Sequence, residues 1–223
     1  MSHDKYSLLF LGKADDPDCN RALEFSQSRF SQVDHCLGRW GDPLPDSVRA
    51  WQGDYILSYL SRWVVPADVL GRARKAAVNF HPASPDYPGI GCNNFALYEN
   101  AHEYGVTCHH MAAQVDTGAI IAVRRFPILA DDNVATLLAR TYENQFALFL
   151  EIAEVMAAGA ELPAANETWT RPPFTRREFN ELFKITPDMT QAEIARRIRA
   201  VSYGVYQPYI EINGYRFEYV PPK

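Results

Sequence analysis

The sequence predicts an α/β fold with a mostly parallel, twisted sheet and flanking helices, followed by a small helix and β-hairpin appendage. Short apolar runs alternate with helical patterns as far as Pro127, and strands joined by helices form parallel sheets. A long amphipathic segment at Asn133–Ala158 predicts a further helix. The chain has 223 residues, of which 47% are hydrophobic and 22% charged, so it can bury the core of one such domain.

The first part of the chain contains four predicted strands and two predicted helices. One helix follows Pro17, at Asn20–Phe30, and Pro66 opens the other, which runs to Arg74, because proline is favoured in a first turn. Pro82 stops the fourth strand. The strands are predicted at Tyr6–Leu11, Gln32–Leu37, Tyr55–Leu60 and Ala76–Phe80.

The second part of the chain continues this alternation and then changes character. A helix at Asn93–Asn100 precedes two strands, at Gly105–Met111 and Ala119–Pro127. An extended arm then begins at Glu161. Two helices and an Asn-Gly hairpin follow it, at Arg176–Phe183, Gln191–Ala200, Tyr209–Ile212 and Arg216–Tyr219. We therefore predict a main domain over residues 1–160 and an arm over residues 161–223 that does not fold independently.

The composition narrows the classes of function. The formal net charge is −5 and no basic block is present, so no nucleic-acid partner is predicted, because phosphate contacts need a basic face. The sequence has no signal-peptide pattern and no apolar run long enough to span a bilayer, so we expect a cytoplasmic protein with no membrane partner. The four cysteines form no C-x-x-C pair, so we expect reduced thiols and no metal site.

Asn79 and His81 are the residues whose pattern best predicts chemistry. They lie two apart on a predicted strand and so point to one face at its carboxyl end, where ligands bind in open α/β sheets. The amide can donate hydrogen bonds to a carbonyl oxygen, and the imidazole can take a proton near neutral pH. Asp116, on a later turn, could orient the imidazole, which completes a set suited to acyl transfer to an amine. The same pattern also fits a structural hydrogen-bonded pair.

Longer strings around these residues resemble the folate-dependent formyltransferases. They lie within Asp54–Pro127 and read NFHPASPDYPGIG from Asn79, NNFALY from Asn93, YGVTCHHM from Tyr104 and QVDTGAII from Gln114. The resemblance implies a Rossmann-like catalytic domain over residues 1–160. It also implies an enzyme that moves a formyl group from 10-formyltetrahydrofolate to an amine.

The resemblance further implies a role for each site residue. Asn79 would polarise the formyl group, His81 would act as general base on the attacking amine, and Asp116 would orient His81. The pterin would lie against the Asp116 loop and the strand end before Pro66. Cofactor contacts are therefore expected at Tyr59, Leu60, Val65, Met111, Val115 and Gly118.

The branches of this family differ in the amine that receives the formyl group. Methionyl-tRNA enzymes carry a large C-terminal RNA-binding domain, whereas this acidic chain has only its 161–223 arm. Glycinamide ribonucleotide transformylases have a Gly-Ser-Asn phosphate loop where this chain has Gly12-Lys13-Ala14-Asp15-Asp16, and two carboxylates are a poor phosphate cradle.

The chain most resembles the short nucleotide-sugar N-formyltransferases, through TWTRPPFTR from Thr168 and YIEINGYRF from Tyr209. The leading interpretation is therefore an enzyme acting on a nucleotide-linked amino sugar such as a dTDP-4-amino-4,6-dideoxyhexose. The alternatives are a glycinamide ribonucleotide transformylase of purine synthesis and a non-catalytic nucleotide-sugar binding module.

For that branch, the resemblance implies a small-molecule nucleotide-sugar substrate. Its sugar would be bordered by Tyr87, Pro88 and Gly89. Candidates for stacking on the base or meeting the diphosphate are Trp169, Arg171 and Tyr215, although core packing is the competing interpretation for aromatic residues near a hairpin. The resemblance also allows a homodimer built by the C-terminal helices and hairpin.

Several other polar residues have ordinary structural interpretations. His109 and His110 are adjacent on a strand and so face opposite ways. We align His110 with the family histidine that follows Gly-Val-Thr and expect it to make a structural hydrogen bond. Lys13 follows the first predicted strand, where a ligand could approach, although a solvent-exposed loop lysine is the favoured interpretation. Arg124 and Arg125 are expected at the surface, with a diphosphate contact as the alternative.

Overall fold

A computed structural model describes residues 6–221, and within them a six-stranded sheet is flanked by helices while a separate two-stranded hairpin lies near the C-terminus. The strands are β1 (Ser7–Lys13), β2 (Gln32–Gly38), β3 (Gly53–Tyr59), β4 (Ala73–His81), β5 (Glu103–His110), β6 (Ile120–Pro127), β7 (Tyr209–Ile212) and β8 (Tyr215–Glu218). The helices are α1 (Pro17–Arg29), α2 (Asp46–Ala50), α3 (Ala67–Leu70), α4 (Cys92–Tyr98), α5 (Val134–Ala158), α6 (Arg176–Leu182) and α7 (Gln191–Val201).

The main sheet has the strand order β2-β1-β3-β4-β5-β6. Strands β1 to β4 are parallel, whereas β5 runs antiparallel to β4 and β6 antiparallel to β5. The predicted α/β class and the mostly parallel sheet are therefore confirmed. Because β1 lies between β2 and β3, the chain reverses direction across the sheet there, and such switch points open a crevice beyond the carboxyl ends of the strands.

Two hydrophobic cores cover the two faces of this sheet. Along β1, Leu8 and Phe10 belong to one core while Leu9 and Leu11 belong to the other, as the alternation of a strand requires. The first core is closed by α1, α4 and α5, and the second by α2 and α3. Phe149 of α5 lies at the centre of the first core, with no exposed surface.

Capping residues in the sequence set both ends of helix α5. Asn133 caps it by accepting hydrogen bonds from the N–H groups of Ala135 and Thr136, and the Thr136 hydroxyl completes a capping box. Gly159 ends it with φ of +67°, a conformation that glycine adopts at little cost. The predicted helix at Asn133–Ala158 is thus confirmed to within one residue.

The predicted helix from Pro66 to Arg74 is wrong. Only Ala67–Leu70 is helical, and β4 begins at Ala73, which pairs with Gly53 of β3. Pairing with β3 satisfies the backbone of this segment, so tertiary contacts override the helix pattern. The short helix α2 was not predicted; its single turn follows Pro45 and buries Val48 in the second core.

The arm after residue 160 packs against the main domain. Phe174 forms a bridge with Gly89, donating its N–H to the Pro88 carbonyl and accepting from the N–H of Ile90. Its ring stacks on Phe95 with centroids 3.6 Å apart. The hairpin β7–β8 is confirmed around its Asn-Gly turn, and β8 is exposed throughout. Within residues 6–221, no helix is both long and apolar enough to cross a membrane.

Candidate active site

A cavity of about 650 Å³ opens beyond the carboxyl ends of β1, β3 and β4. This volume lies within the range of small-molecule sites in proteins. The end of β4 brings Asn79 and His81 to the cavity, and the turn between β5 and β6 brings Asp116. The three residues predicted to carry the chemistry therefore meet at one place.

Asp116 lies between two buried histidines. Its Oδ2 is 3.3 Å from His81 Nδ1, and its Oδ1 is 3.4 Å from His109 Nε2. Asn79 joins the same group, because its Nδ2 is 3.0 Å from His109 Nε2. These contacts form one chain of polar side chains, from His81 through Asp116 and His109 to Asn79.

His109 was not selected by the sequence interpretation, which aligned His110 with the family histidine, yet the structure brings His109 to Asn79 and Asp116. Asn79 pairs with His109 across the antiparallel β4–β5 ladder, and directly paired residues share a face of the sheet. His110 pairs with Val78 and so faces the other way. Burial and the neighbouring His109 lower the pKa of His110. Sequence alone does not show which of two adjacent histidines shares a face with Asn79, because this depends on the register between β4 and β5.

The Asp116 carboxylate is held in a fixed position and charge state. Its residue has φ of +50°, a strained conformation for a residue other than glycine, and its Oδ2 accepts the N–H of Gly89 at 2.9 Å. Burial raises the pKa of Asp116, but the two histidines and the Gly89 N–H outweigh it and lower the pKa to about 2. Asp116 is therefore an anion at all ordinary pH values.

His81 has an oxygen acceptor at each ring nitrogen. Asp116 faces Nδ1, and the Tyr87 carbonyl oxygen is 3.0 Å from Nε2. The neutral ring carries one hydrogen and can donate to only one of them, whereas the doubly protonated ring donates to both. His81 is therefore held by an oxygen on each side of its ring. The thiol of Cys92 lies 3.8 Å from Nε2, and burial raises its pKa above the usual range for a thiol.

Trp169 forms a wall behind the two histidines. Its ring meets His81 and His109 edge-on, with centroids 5.8 and 5.0 Å apart. Its Nε1 donates to the Gly118 carbonyl at 2.8 Å, which ties the arm to the Asp116 turn. Trp169 does not line the cavity, so the structure places it as a support of the histidines.

The residues expected to contact the cofactor divide into two groups. Leu60, Val65, Met111 and Val115 line the cavity. The Tyr59 side chain points instead into the first core, where its ring meets Phe80 and Phe149. Gly118 lies beside the cavity wall without lining it.

The residues expected to contact the substrate are also divided. Gly89 lines the cavity, while Tyr87 and Pro88 lie behind it in the same loop; the Tyr87 hydroxyl donates to Glu99. Arg171 packs over the Phe174 ring at 3.2 Å and lies 3.6 Å from Glu178. Tyr215 is 72% exposed on the hairpin and is not among the cavity residues.

The cavity wall also contains residues that the sequence interpretation did not select. Trp40, Arg62 and Arg176 are the main ones. No pattern of spacing marks them, because Trp40 and Arg62 lie on separate loops and Arg176 begins α6, and only the folded chain brings them together.

The charged residues Lys13, Arg124 and Arg125 each form an ion pair. Lys13 is not in a loop: it ends β1, lines the cavity and forms an ion pair with Asp16 at 2.7 Å. Arg124 and Arg125 are surface residues as expected, and both pair with carboxylates there. Among residues 6–221, no group of three or more histidine, cysteine or acidic side chains is arranged to hold a metal ion.

Comparison with known families matches residues 41–152 to the family described as Formyl transferase. A methionyl-tRNA formyltransferase of Chlorobium phaeovibrioides is 35% identical over 130 residues, which cover 57% of this chain and 40% of that protein. This chain covers between 38% and 46% of the length of the curated relatives that it matches first.

Comparison with solved structures extends the likeness to nearly the whole chain. A 4-N formyltransferase from Francisella tularensis superposes with a TM-score of 0.78 at 16% identity, covering 96% of each chain. An N-formyltransferase from Helicobacter canadensis, solved with folinic acid and dTDP-3-aminofucose, has a TM-score of 0.71 at 21% identity and covers 93% of this chain and 84% of its own. At these identities the likeness shows a shared fold.

Proposed function

Because this chain belongs to the formyl transferase family, we propose that it is a folate-dependent N-formyltransferase acting on a nucleotide-linked amino sugar. The observation that carries the proposal is the meeting of Asn79, His81 and Asp116 at one end of the cavity. An amide donor, a proton acceptor and an orienting carboxylate are the groups that acyl transfer to an amine requires.

The residues of the cavity fit 10-formyltetrahydrofolate. One wall is apolar and lies between the ends of β3 and β5, where Leu60, Val65, Met111 and Val115 would hold the flat pterin. Val65 and Met111 belong to the second core or pack against it, so this wall is fixed by the fold. When bound there, this cofactor supplies the formyl group.

Asn79 and His81 would then have different roles in the transfer. Asn79 has one amide N–H directed to His109 and a second N–H available, which would donate to the formyl oxygen as negative charge develops on it. His81 would take the proton from the attacking amine. Asp116 at Nδ1 and the Tyr87 carbonyl at Nε2 would hold the ring in place for this role.

The choice of a nucleotide sugar as acceptor is supported by two observations. The solved formyltransferases that share this fold over nearly their whole length include the 4-N enzyme and the one bound to dTDP-3-aminofucose. The ion pair between Lys13 and Asp16 also occupies the loop after β1, where the purine-pathway enzymes would need a phosphate cradle.

We also propose that the protein forms a homodimer through its C-terminal segment. Hydrophobic side chains are exposed along residues 205–220, among them Val205 at 85%, Phe217 at 57% and Val220 at 82%. An isolated two-stranded hairpin is marginal in water, and a second copy would cover these side chains. Sedimentation equilibrium of the full chain tests this, and a monomer at micromolar concentration would contradict it.

The proposed activity is tested by mixing the protein with 10-formyltetrahydrofolate and a panel of amino acceptors. The panel contains dTDP- and UDP-linked 3-amino and 4-amino sugars, together with glycinamide ribonucleotide. Release of tetrahydrofolate with an amino sugar nucleotide, and not with glycinamide ribonucleotide, is the expected result. Turnover with glycinamide ribonucleotide alone would overturn the acceptor, and ligand binding without any turnover would indicate a binding module.

A further inference from the structure

The cavity has two walls of different chemistry, one on each face of the sheet. The apolar wall belongs to the second core, which includes Val65 and is packed by Trp63 and Met111. The opposite wall carries Phe174 and Phe179, which belong to the first core or pack against it. The catalytic end of β4 lies between the two walls, so a donor and an acceptor could approach it from opposite faces.

Trp40 and Arg176 meet at the cavity, although they are distant in sequence. The Arg176 guanidinium lies 5.4 Å from the centre of the Trp40 ring, within the range of a cation–π contact. Trp40 is 70% exposed even though it lines the cavity. The pair thus presents a large aromatic surface and a positive charge to the same space.

The position of Trp40 is built into the fold. The Arg39 N–H donates to the Asp42 carboxylate at 2.6 Å, and Trp63 Nε1 donates to the Asp42 carbonyl at 3.0 Å. Gly41 has φ of +92°, which closes the turn tightly. A tryptophan held outward on a pinned turn is a preformed surface for a planar group.

Arg176 has no carboxylate partner within the described part of the chain. Among residues 6–221, none of the ion pairs includes Arg176, whereas Lys13 at the same cavity is paired with Asp16. Arg171, the arginine first expected to meet the diphosphate, is engaged by Phe174 and Glu178. An unpaired arginine beside a ligand cavity, in a chain of net charge −5, is suited to an anionic ligand.

We propose that Trp40 and Arg176 form the subsite for the nucleoside diphosphate half of the acceptor, with the base stacked on Trp40 and the diphosphate held by Arg176. This assignment rests on the proposed function for the amino-sugar half alone. It places the nucleotide where the Trp40 turn meets the start of α6, with the sugar amine at His81. Stacking on tryptophan and charge-assisted hydrogen bonds from arginine are common means of binding nucleotides.

The experiment measures binding of dTDP and UDP to the full chain by calorimetry, for the wild type and for Trp40→Ala, Arg176→Ala and Arg177→Ala. Arg177 is the matched control, because it is an exposed arginine on the same helix that does not line the cavity. We expect Trp40→Ala and Arg176→Ala each to weaken nucleotide binding about tenfold, and Arg177→Ala to change it less than twofold. Folinic acid affinity should stay within twofold in all variants, which also verifies that they fold.

Three results would overturn the assignment. They are nucleotide affinity that is equal in all four proteins, no binding of either nucleotide by the wild type, and loss of folinic acid affinity in the Trp40 or Arg176 variant. The last result would place the pair on the donor side. Loss of nucleotide binding in these variants, together with no formyl transfer to any amino sugar, would retain this subsite and contradict only the proposed function.

Discussion

The carboxyl edge of the main sheet and the C-terminal hairpin differ in which kinds of side chain they bury and which they expose. At the sheet edge, His81, His109 and Asp116 are polar yet almost fully buried, and each has a partner. On the hairpin, Tyr215 and Phe217 are aromatic yet exposed. The first region holds polar groups in fixed places at a cost in stability, whereas the second leaves apolar surface exposed to solvent.

The largest expected difference between the regions is in packing. Phe149→Ala should lower the free energy of unfolding by about 3–5 kcal/mol, because Phe149 is fully buried against Tyr59 and Phe80. Phe217→Ala should change it by no more than about 0.5 kcal/mol, because that ring is 57% exposed. Urea unfolding of both variants at low protein concentration measures the difference. Equal effects would mean that the hairpin is part of the core of the monomer.

The next effect concerns the turn that carries Asp116. A Cβ at position 118 would lie 1.7 Å from the His110 carbonyl oxygen, so Gly118→Ala must displace backbone and should cost about 3 kcal/mol. Gly71→Ala is the control, since the nearest atom would be 3.5 Å away. We expect the control to stay within about 1 kcal/mol of the wild type. Equal melting temperatures for the two variants would contradict the packing of this turn.

A smaller effect is expected from pH. The pKa of Asp116 lies near 2 in the folded chain against a usual value of 3.8, so its charge stabilises the fold above pH 4, and this contribution is lost as pH falls towards 2. The wild type should lose about 2 kcal/mol more than Asp116→Asn over that range, because the variant has no group to protonate there. Urea unfolding of both proteins at pH 5 and pH 2.5 measures the loss. Parallel losses would show that the Asp116 carboxylate is not specially stabilised.

The smallest of these effects tests His109 as a positioning residue. His109→Phe keeps the flat ring but removes the nitrogen that accepts the Asn79 amide, so kcat should fall on the order of tenfold with little change in the KM for the folate. His109→Gln, which keeps a hydrogen-bonding group, should recover part of the loss. A loss confined to KM, or an equal loss in both variants, would argue that His109 only fills space.

The two regions also differ in how far their residues could be predicted from the sequence. Asn79, His81 and Asp116 were selected through the resemblance of the strings around them to the formyltransferases, and the structure brings the three together at the cavity. His109 could not be told from His110, since the choice depends on the register between β4 and β5. The hairpin was predicted from its Asn-Gly turn alone.

Contacts between segments that are distant in sequence could not be predicted from the sequence pattern. Trp169 was expected to stack on a base, but it supports the two histidines and donates to Gly118 across the fold. Trp40 and Arg176 carry no local signal, and they meet only because the arm packs back on the main domain. The position of a residue on its own strand or turn can be predicted from sequence, whereas a contact made by tertiary packing cannot.

The most direct measurement of the central claim is the steady-state rate of formyl transfer by Asn79→Ala. The assay uses 10-formyltetrahydrofolate with the best acceptor of the amino-sugar panel, and folinic acid affinity verifies that the variant folds. Asn79 lines the cavity and would donate to the developing oxyanion, so we predict a fall in kcat on the order of several hundred-fold with folinic acid affinity unchanged. Near wild-type turnover by a folded Asn79→Ala protein would contradict the account.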